Sequence, residues 1–385
     1  MTGNKHIWID RTEELDRIIP DLEKEARVAV DLEADSMFHF REMVCLIQIA
    51  TPEVTVLIDT LKVKDLNCLK PMFANPSVEK ILHGSDYDVR SLYRDFEITI
   101  NNLFDTELAS RFMGIRETGL GSVLANRFAI SLDKKFQKKD WSQRPLPREM
   151  IEYGARDVLY LLPLADQLKS ELIGKNRLSW VVEECEHQSR VRPALTDEEP
   201  LFLKVRGAGR LDRRSLAVLE KLLQYRLLKA SQMNRPPFKI LGNSVILDLA
   251  MKKPRNMEFL RELKILSPRQ TDLFSKGLLT AVKGAMEVPE EELPLYPHQR
   301  TPKIKPSVVK RIERLKTYRD QKAAELDMDP SLILSKAVIG DIAMKKPLNG
   351  EALHMVKGIR NWQKIAFGEE IIRCLSVRTA TQSNE

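Results

Sequence analysis

The chain has 385 residues, 43% hydrophobic and 30% charged, with a formal net charge of +7. That length exceeds one ordinary core and that composition excludes a disordered chain, so two or three globular domains are expected. The start, MTGNKHIWIDRTEEL, is not a signal peptide, no apolar run reaches the roughly 18 residues of a membrane helix, and the cysteines (Cys45, Cys68, Cys185, Cys374) lack metal or disulfide spacing. A reducing, cytoplasmic setting follows as the expectation.

The net charge conceals an asymmetry. Residues 1–200 hold 27 Lys and Arg against 35 Asp and Glu, a net of −8, and residues 201–385 hold 35 against 20, a net of +15. The basic half favours a polyanion such as nucleic acid, unless its lysines are only solubilising surface. An acidic half that handled the same polyanion would need divalent cations to offset the repulsion.

RVAVDLEA (27–34), VCLIQIAT (44–51), VTVLID (54–59) and VEKILHG (78–84) read as strands, with a helix over 64–73 between the last two. The second and third are joined hairpin-fashion across TPE. The periodicity then turns helical through SDYDVRSLYRDF, FDTELASRFMG and GSVLANRFA. This order predicts a mixed α/β sheet and not an all-parallel one. A further helix starts near Pro147, carries IEYGARDVLYLL (151–162) and is expected to continue past Pro163 with a kink there. The segment 193–210 reads as a domain boundary.

From 211 onward the chain is helical and repeats. LGNSVILDLAMKKPRN (241–256) matches LSKAVIGDIAMKKPLN (334–349) at 10 of 16 positions without a gap, and the same offset of 93 superimposes Leu222 on Leu315 and Pro237 on Pro330. A duplicated helical domain is the reading. The Pro- and acid-rich stretch 288–306 is a semi-rigid linker between the copies. Three domains are expected, over 1–195, 208–288 and 304–380.

Three short motifs could carry chemistry. Asp31 and Glu33 are i and i+2 on a strand, so both point from one face. Either Glu33 begins a solvated loop, or a cation holds the pair against repulsion and desolvation. In HGSDYDVRSL a strand ends at His83 and a helix starts with Ser85 as its N-cap; Asp86 and Asp88 in its first turn are either dipole partners or ligands. Tyr153 and Asp157 stack one turn apart, as a structural hydrogen-bonded pair or as part of a site.

Taken together, D-x-E, H-x4-D and Y-x3-D in this order resemble the motifs of the DEDDy 3′–5′ exonucleases. The whole chain resembles the ribonuclease D family: VCLIQIAT is similar to its second strand, KKDWSQRPLP (138–147) to the segment before its last motif, and the duplicated region to two HRDC domains. The resemblance implies an RNase H-like mixed-sheet exonuclease domain followed by two small all-α HRDC domains. It implies two divalent metal ions, Mg²⁺ or Mn²⁺, with Asp31 bridging both, Glu33 and Asp157 on the ion that activates water and Asp88 on the second. Asp86 is then a surface acid, and His83 supports the site or the fold. The implied reaction trims RNA from the 3′ end, precursor tRNA foremost, and releases nucleoside 5′-monophosphates, with no obligate protein partner.

Such chemistry suits these residue types. Two metals about 4 Å apart can stabilise both the attacking and the leaving oxygen of a phosphodiester, and hard cations take carboxylate ligands. Tyr153 would orient the water; a phenol with pKa about 10 is a poor base alone. Trp141 and Phe136 either stack on a base or pack in the core. Lys252, Lys253, Lys345 and Lys346 recur in both copies and either hold RNA phosphates or face a helix C-terminus that proline stops. A DNA exonuclease and an inactive nucleic-acid-binding adaptor are the rival readings.

Overall fold

Apolar, β-branched runs in the first hundred residues build one sheet. A computed structural model describes residues 5–193, 199–297 and 304–376. Its strands are β1 (Lys5–Ile9), β2 (Arg27–Ala34), β3 (Val44–Ala50), β4 (Val54–Ile58), β5 (Glu79–Leu82) and β6 (Leu103–Asp105), in the order β1-β4-β3-β2-β5-β6. β3 is antiparallel to β2 and β4, whereas β1 runs parallel to β4 and β5 parallel to β2 and β6. The sheet is mixed, as the hairpin-joined strands predicted. All seven residues of β3 are buried, which is why its sequence is nearly continuously apolar.

Helices α1 (Thr12–Leu22), α2 (Leu69–Ala74), α3 (Asp86–Phe96), α4 (Thr106–Phe112), α5 (Leu120–Phe128), α6 (Arg148–Leu159), α7 (Leu161–Gly174) and α8 (Leu178–Ser189) accompany the sheet. One expectation is corrected here. The helix after Pro147 does not continue to a kink at Pro163; it ends at Leu159, and α7 restarts at Leu161 across Tyr160, whose φ/ψ of −103/0 is non-helical. Pro163 thereby falls in the first turn of α7, where a missing N–H leaves no bond unmade and no clash arises. Among the described residues no helix is long and apolar enough to cross a membrane.

The two sequence repeats fold alike. The first gives α9 (Arg213–Gln232), α10 (Pro237–Ile240), α11 (Asn243–Lys252), α12 (Met257–Glu262) and α13 (Pro268–Met286); the second gives α14 (Pro306–Leu326), α15 (Pro330–Ile333), α16 (Lys336–Lys345), α17 (Gly350–His354) and α18 (Asn361–Ser376). The chain divides into two compact units, however. One comprises the described parts of 1–34, 44–193 and 302–385, so the second repeat belongs with the sheet; the other comprises those of 35–43 and 194–301. The first repeat has its own core, around Leu219, Leu222, Ile246 and Leu278.

The two copies differ in how their last helix is capped. Helix α13 is capped by its own chain, through Ser267 and Gln270 in a reciprocal capping box. At the equivalent position the second copy has Arg360, whose side chain cannot accept, and only half of the box survives, the Arg360 N–H donating to Gln363 at 2.9 Å. There the Glu183 carboxylate of α8 accepts from the backbone N–H of Asn361 (2.6 Å) and Trp362 (2.8 Å). Its neighbour Glu184 accepts from the Trp362 indole (2.9 Å) and pairs with Arg360 (3.1 Å). Trp362 stacks on Trp180 at 4.8 Å and meets Phe112 edge-on at 5.4 Å. Replacing Glu183 by Ala should weaken this docking by about 1–2 kcal/mol, as loss of an N-cap does. Hydrogen exchange checks it: amides at the start of α18 should exchange faster while those of β3 hold, and unchanged α18 exchange would show that Glu183 is not what fixes the repeat.

Candidate active site

The site is assembled from three elements. Strand β2 carries Asp31 and Glu33 on one face, across from Gln48 and Leu46 of β3, and its register shifts by a bulge just after Glu33. Strand β5 stops at Leu82, one residue before His83, and Gly84 turns the chain with a φ of +74° into α3, whose first turn holds Asp88. Helix α6 packs against β2, β3 and β4. A Cβ at Gly154 would stand 3.1 Å from Gln48 Nε2 and 3.3 Å from Leu46 Cδ2, so glycine lets α6 press onto β3. That brings Tyr153 and Asp157, on either side of Gly154, over the β2 carboxylates.

Carboxylate oxygens of Asp31, Glu33 and Asp157 lie within 4.8 Å of one another. Asp88 stands outside that trio but close enough that its charge and that of Asp31 repel. Asp88 and Asp157 are buried and Asp31 and Glu33 partly so, and Asp31 and Asp157 line a cavity. Burial pushes all four upward. Asp31 rises to about 7 and Asp157 to about 8, the latter also through the Asp31 charge. Glu33 is held well above the carboxylate range by burial and then by Asp31, Asp157 and Asp88, and Asp88 by burial and then by Asp31 and Asp105. Among the described residues none of the four forms an ion pair with Lys, Arg or His. Crowded oxygen donors without a cationic side chain fit a hard divalent cation.

Tyr153 is half-buried, its hydroxyl donating to Asp157. Burial first, then Asp157 and Glu33, raise its pKa further above the phenol range. Phe136 meets its ring edge-on at 5.8 Å, and Trp141 lies tilted against it at 6.1 Å. Trp141 is only 1% exposed, so its place is in the core and not on a base. The segment bearing Trp141 is clamped by Arg144, which grips the buried Asp59 carboxylate (2.6 and 2.7 Å) and the carbonyls of Cys45 (2.8 Å) and Trp141 (2.7 Å).

The remaining candidates are dispersed. Asp86 is an exposed partner of Arg90 at 2.8 Å, outside the cluster. His83 sits in the cavity wall with Nδ1 2.9 Å from the Thr106 hydroxyl. Ser85 does not cap α3 with its side chain; the hydroxyl goes to Asp105 instead (2.7 Å). Asp105 escaped the sequence reading. It caps α4 through the N–H of Glu107 (2.9 Å) and Leu108 (3.2 Å) and also accepts from the N–H of Gly84 (2.9 Å) and Ser85 (2.7 Å). That knot fixes the corner from which Asp88 departs; the acid-Thr-Glu start of DTELAS was the available signal. Gln48 was missed too. It is fully buried opposite Asp31, and its amide has no hydrogen-bond partner among the described residues.

In the repeats, Lys253 and Lys346 occupy the left-handed residues that end α11 and α16, with φ of 50° and 49°. Lys253 reaches Asp212 at 3.6 Å, and Lys345 donates to the Met355 carbonyl at 3.1 Å. Lys252, Lys345 and Lys346 are exposed.

Known proteins resemble this chain in both its sheet unit and its repeats. The 3′–5′ exonuclease family matches residues 6–173, and the HRDC domain family matches 215–282 and again 309–375. Ribonuclease D of Desulfotalea psychrophila is 28% identical over 359 residues, covering 92% of this chain and 95% of its own. The exosome complex exonuclease RRP6 of Saccharomyces cerevisiae is 37% identical over 196 residues, 51% of this chain but only 27% of that protein. The crystal structure of the catalytic core of RRP6 from Trypanosoma brucei superposes with a TM-score of 0.66 at 30% identity, over 74% of this chain and 81% of that one. The chain belongs to the ribonuclease D and RRP6 family of 3′–5′ exoribonucleases.

Proposed function

We propose that the chain trims the 3′ ends of RNA one nucleotide at a time, precursor tRNA foremost, with two divalent ions, Mg²⁺ or Mn²⁺, held by Asp31, Glu33, Asp88 and Asp157. The carrying observation is the trio of Asp31, Glu33 and Asp157 oxygens gathered within 4.8 Å, with no ion pair to Lys, Arg or His among the described residues. Bound there, divalent ions would offset the crowded charge and stabilise the oxygens on which charge develops as the phosphodiester breaks. In this reading Asp31, whose charge bears on Glu33, Asp88 and Asp157, would hold the ions together with Glu33 and Asp157, and Asp88 would support them. Tyr153 remains protonated across the ordinary pH range, since its surroundings raise its pKa. It therefore serves as a fixed hydroxyl that orients the attacking water, not as the base. Lys252 and Lys346, exposed at the helix ends of the two repeats, are the proposed contacts to RNA phosphates. The four cysteines form no disulfide among the described residues, which suits a reducing cytoplasm.

Asp31→Asn should lower trimming of a 3′-labelled RNA by on the order of 10³-fold, with RNA binding largely kept. Tyr153→Phe, which removes one hydroxyl, should cost on the order of 10²-fold in rate. Wild-type rates in both variants would remove these residues from the reaction. Matched single-stranded RNA and DNA, digested side by side with a tRNA precursor, test the substrate; faster digestion of DNA would overturn the RNA reading.

The raised carboxylates also set a pH dependence. Above about pH 4 the unfolded chain has released protons that the folded site still holds, so stability falls as pH rises. Without metal, the melting temperature should therefore drop between about pH 4 and 8, through the range set by Asp31 at about 7 and Asp157 at about 8. Adding Mn²⁺ should raise it most at the alkaline end. Asp157→Asn should flatten the slope, and an unchanged slope would mean that the cluster does not carry it.

A further inference from the structure

The acidic half of the chain contains one dense basic run, KKFQKK (134–139). It lies beside two cavities that share a wall. The inner, about 340 Å³, is lined by Asp31, His83, Glu107, Tyr153 and Asp157, with Lys134 among its residues. The outer, about 220 Å³, is lined by Lys135, Phe136, Glu149 and Arg156 together with the same Tyr153 and Asp157. Leu132 and Asp133 also line both.

On the exonuclease reading given above, the terminal nucleotide enters the inner cavity, where its 5′-phosphate meets the carboxylate cluster. The bond to be broken then joins it to a nucleotide lying beyond Tyr153 and Asp157, on the side of the outer cavity. We propose that the outer cavity receives this penultimate nucleotide and that Lys135 and Arg156 grip the phosphate on its 5′ side. Lys135 is held over the Phe136 ring, 4.9 Å from its centre, and pairs with Glu149 at 3.1 Å. Both members of that pair are more than half exposed, at 57% and 70%, so it is worth little and yields to a phosphate. Arg156 is exposed and has no ion pair among the described residues. Of the other acids of the outer cavity, Glu152 is occupied by Arg148 at 2.9 Å, Asp133 accepts from the Lys135 backbone N–H at 2.8 Å, and Asp157 belongs to the carboxylate cluster. Phe136 offers the penultimate base an apolar edge. Lys138 and Lys139 line neither cavity, although they belong to the same run.

The length of the substrate tests this assignment. A dinucleotide NpN carries only the phosphate to be cleaved, whereas a trinucleotide NpNpN adds the one assigned to Lys135 and Arg156. In the wild type KM should be on the order of tenfold lower for the trinucleotide. In Lys135→Ala and Arg156→Ala that ratio should fall toward one, and in Lys138→Ala/Lys139→Ala it should stay. In EDTA, binding of oligouridylate by Lys135→Ala should show a salt slope smaller by about 0.7, one single-strand phosphate contact. A ratio kept in Lys135→Ala and Arg156→Ala, or lost equally in Lys138→Ala/Lys139→Ala, would overturn the assignment and leave only diffuse attraction. A wild type that cleaves neither substrate in Mg²⁺ or Mn²⁺ would count against the exonuclease reading itself, while the salt slope would still decide whether Lys135 holds a phosphate.

Discussion

Mutual repulsion among four carboxylates is the constraint around which the sheet unit is arranged. Other buried acids of this unit are satisfied by the protein: Asp59 by a bidentate arginine, Asp105 by backbone N–H groups and a serine hydroxyl. Among the described residues Asp31, Glu33, Asp88 and Asp157 receive far less, the Tyr153 hydroxyl at Asp157 and single backbone N–H groups at Asp31 and Asp88; burial presses all four toward the protonated state, and neighbouring carboxylates add to it at Glu33, Asp88 and Asp157. Holding such a group together takes rigid surroundings. A strand with a fully buried neighbour, a helix pressed onto that neighbour at Gly154, and a corner knotted by Asp105 supply them. The contrast between satisfied and unsatisfied acids is what distinguishes framework from site here.

Tyr153 depends on the framework in a second way. Its ring is confined by Phe136 and Trp141, and the segment carrying Trp141 is tied down by Arg144 on Asp59. A buried ion pair is a weak source of net stability, but it fixes geometry once formed. The KKDWSQRPLP segment, though largely irregular, therefore acts as a rigid wall for the one hydroxyl in the cluster.

Much of this was legible in the sequence. The four central strands, the mixed sheet and the duplication follow from alternation, burial and the constant offset of 93, all of which are local signals. Strands β1 and β6 were not legible, because KHIWI mixes polar with apolar residues and LFD is too short for a period to show. Pro163 was visible, but whether it kinks a helix or opens a new one depends on the packing that ends α6 at Leu159. The carboxylates and Tyr153 were found by motif, and the structure brings Asp31, Glu33 and Asp157 together. Gln48 and Asp105 were hidden for a different reason: each matters through partners remote in sequence, 20 residues away for the bond from Ser85 to Asp105.

The unequal helix caps of the two repeats bear on how this architecture could be rearranged. The first copy carries its own cap in Ser267 and Gln270, and its core is completed by flanking residues such as Phe202, Val205 and Leu293. The second has given that cap over to Glu183, and its Trp362 completes an aromatic cluster with Phe112 and Trp180. Excision of the second copy would bare two aromatic faces and an acid without its donors, a surface prone to self-association. After duplication, a serine at one position and an arginine at its counterpart mark which last helix is capped within its own repeat and which is capped by a helix of the exonuclease fold.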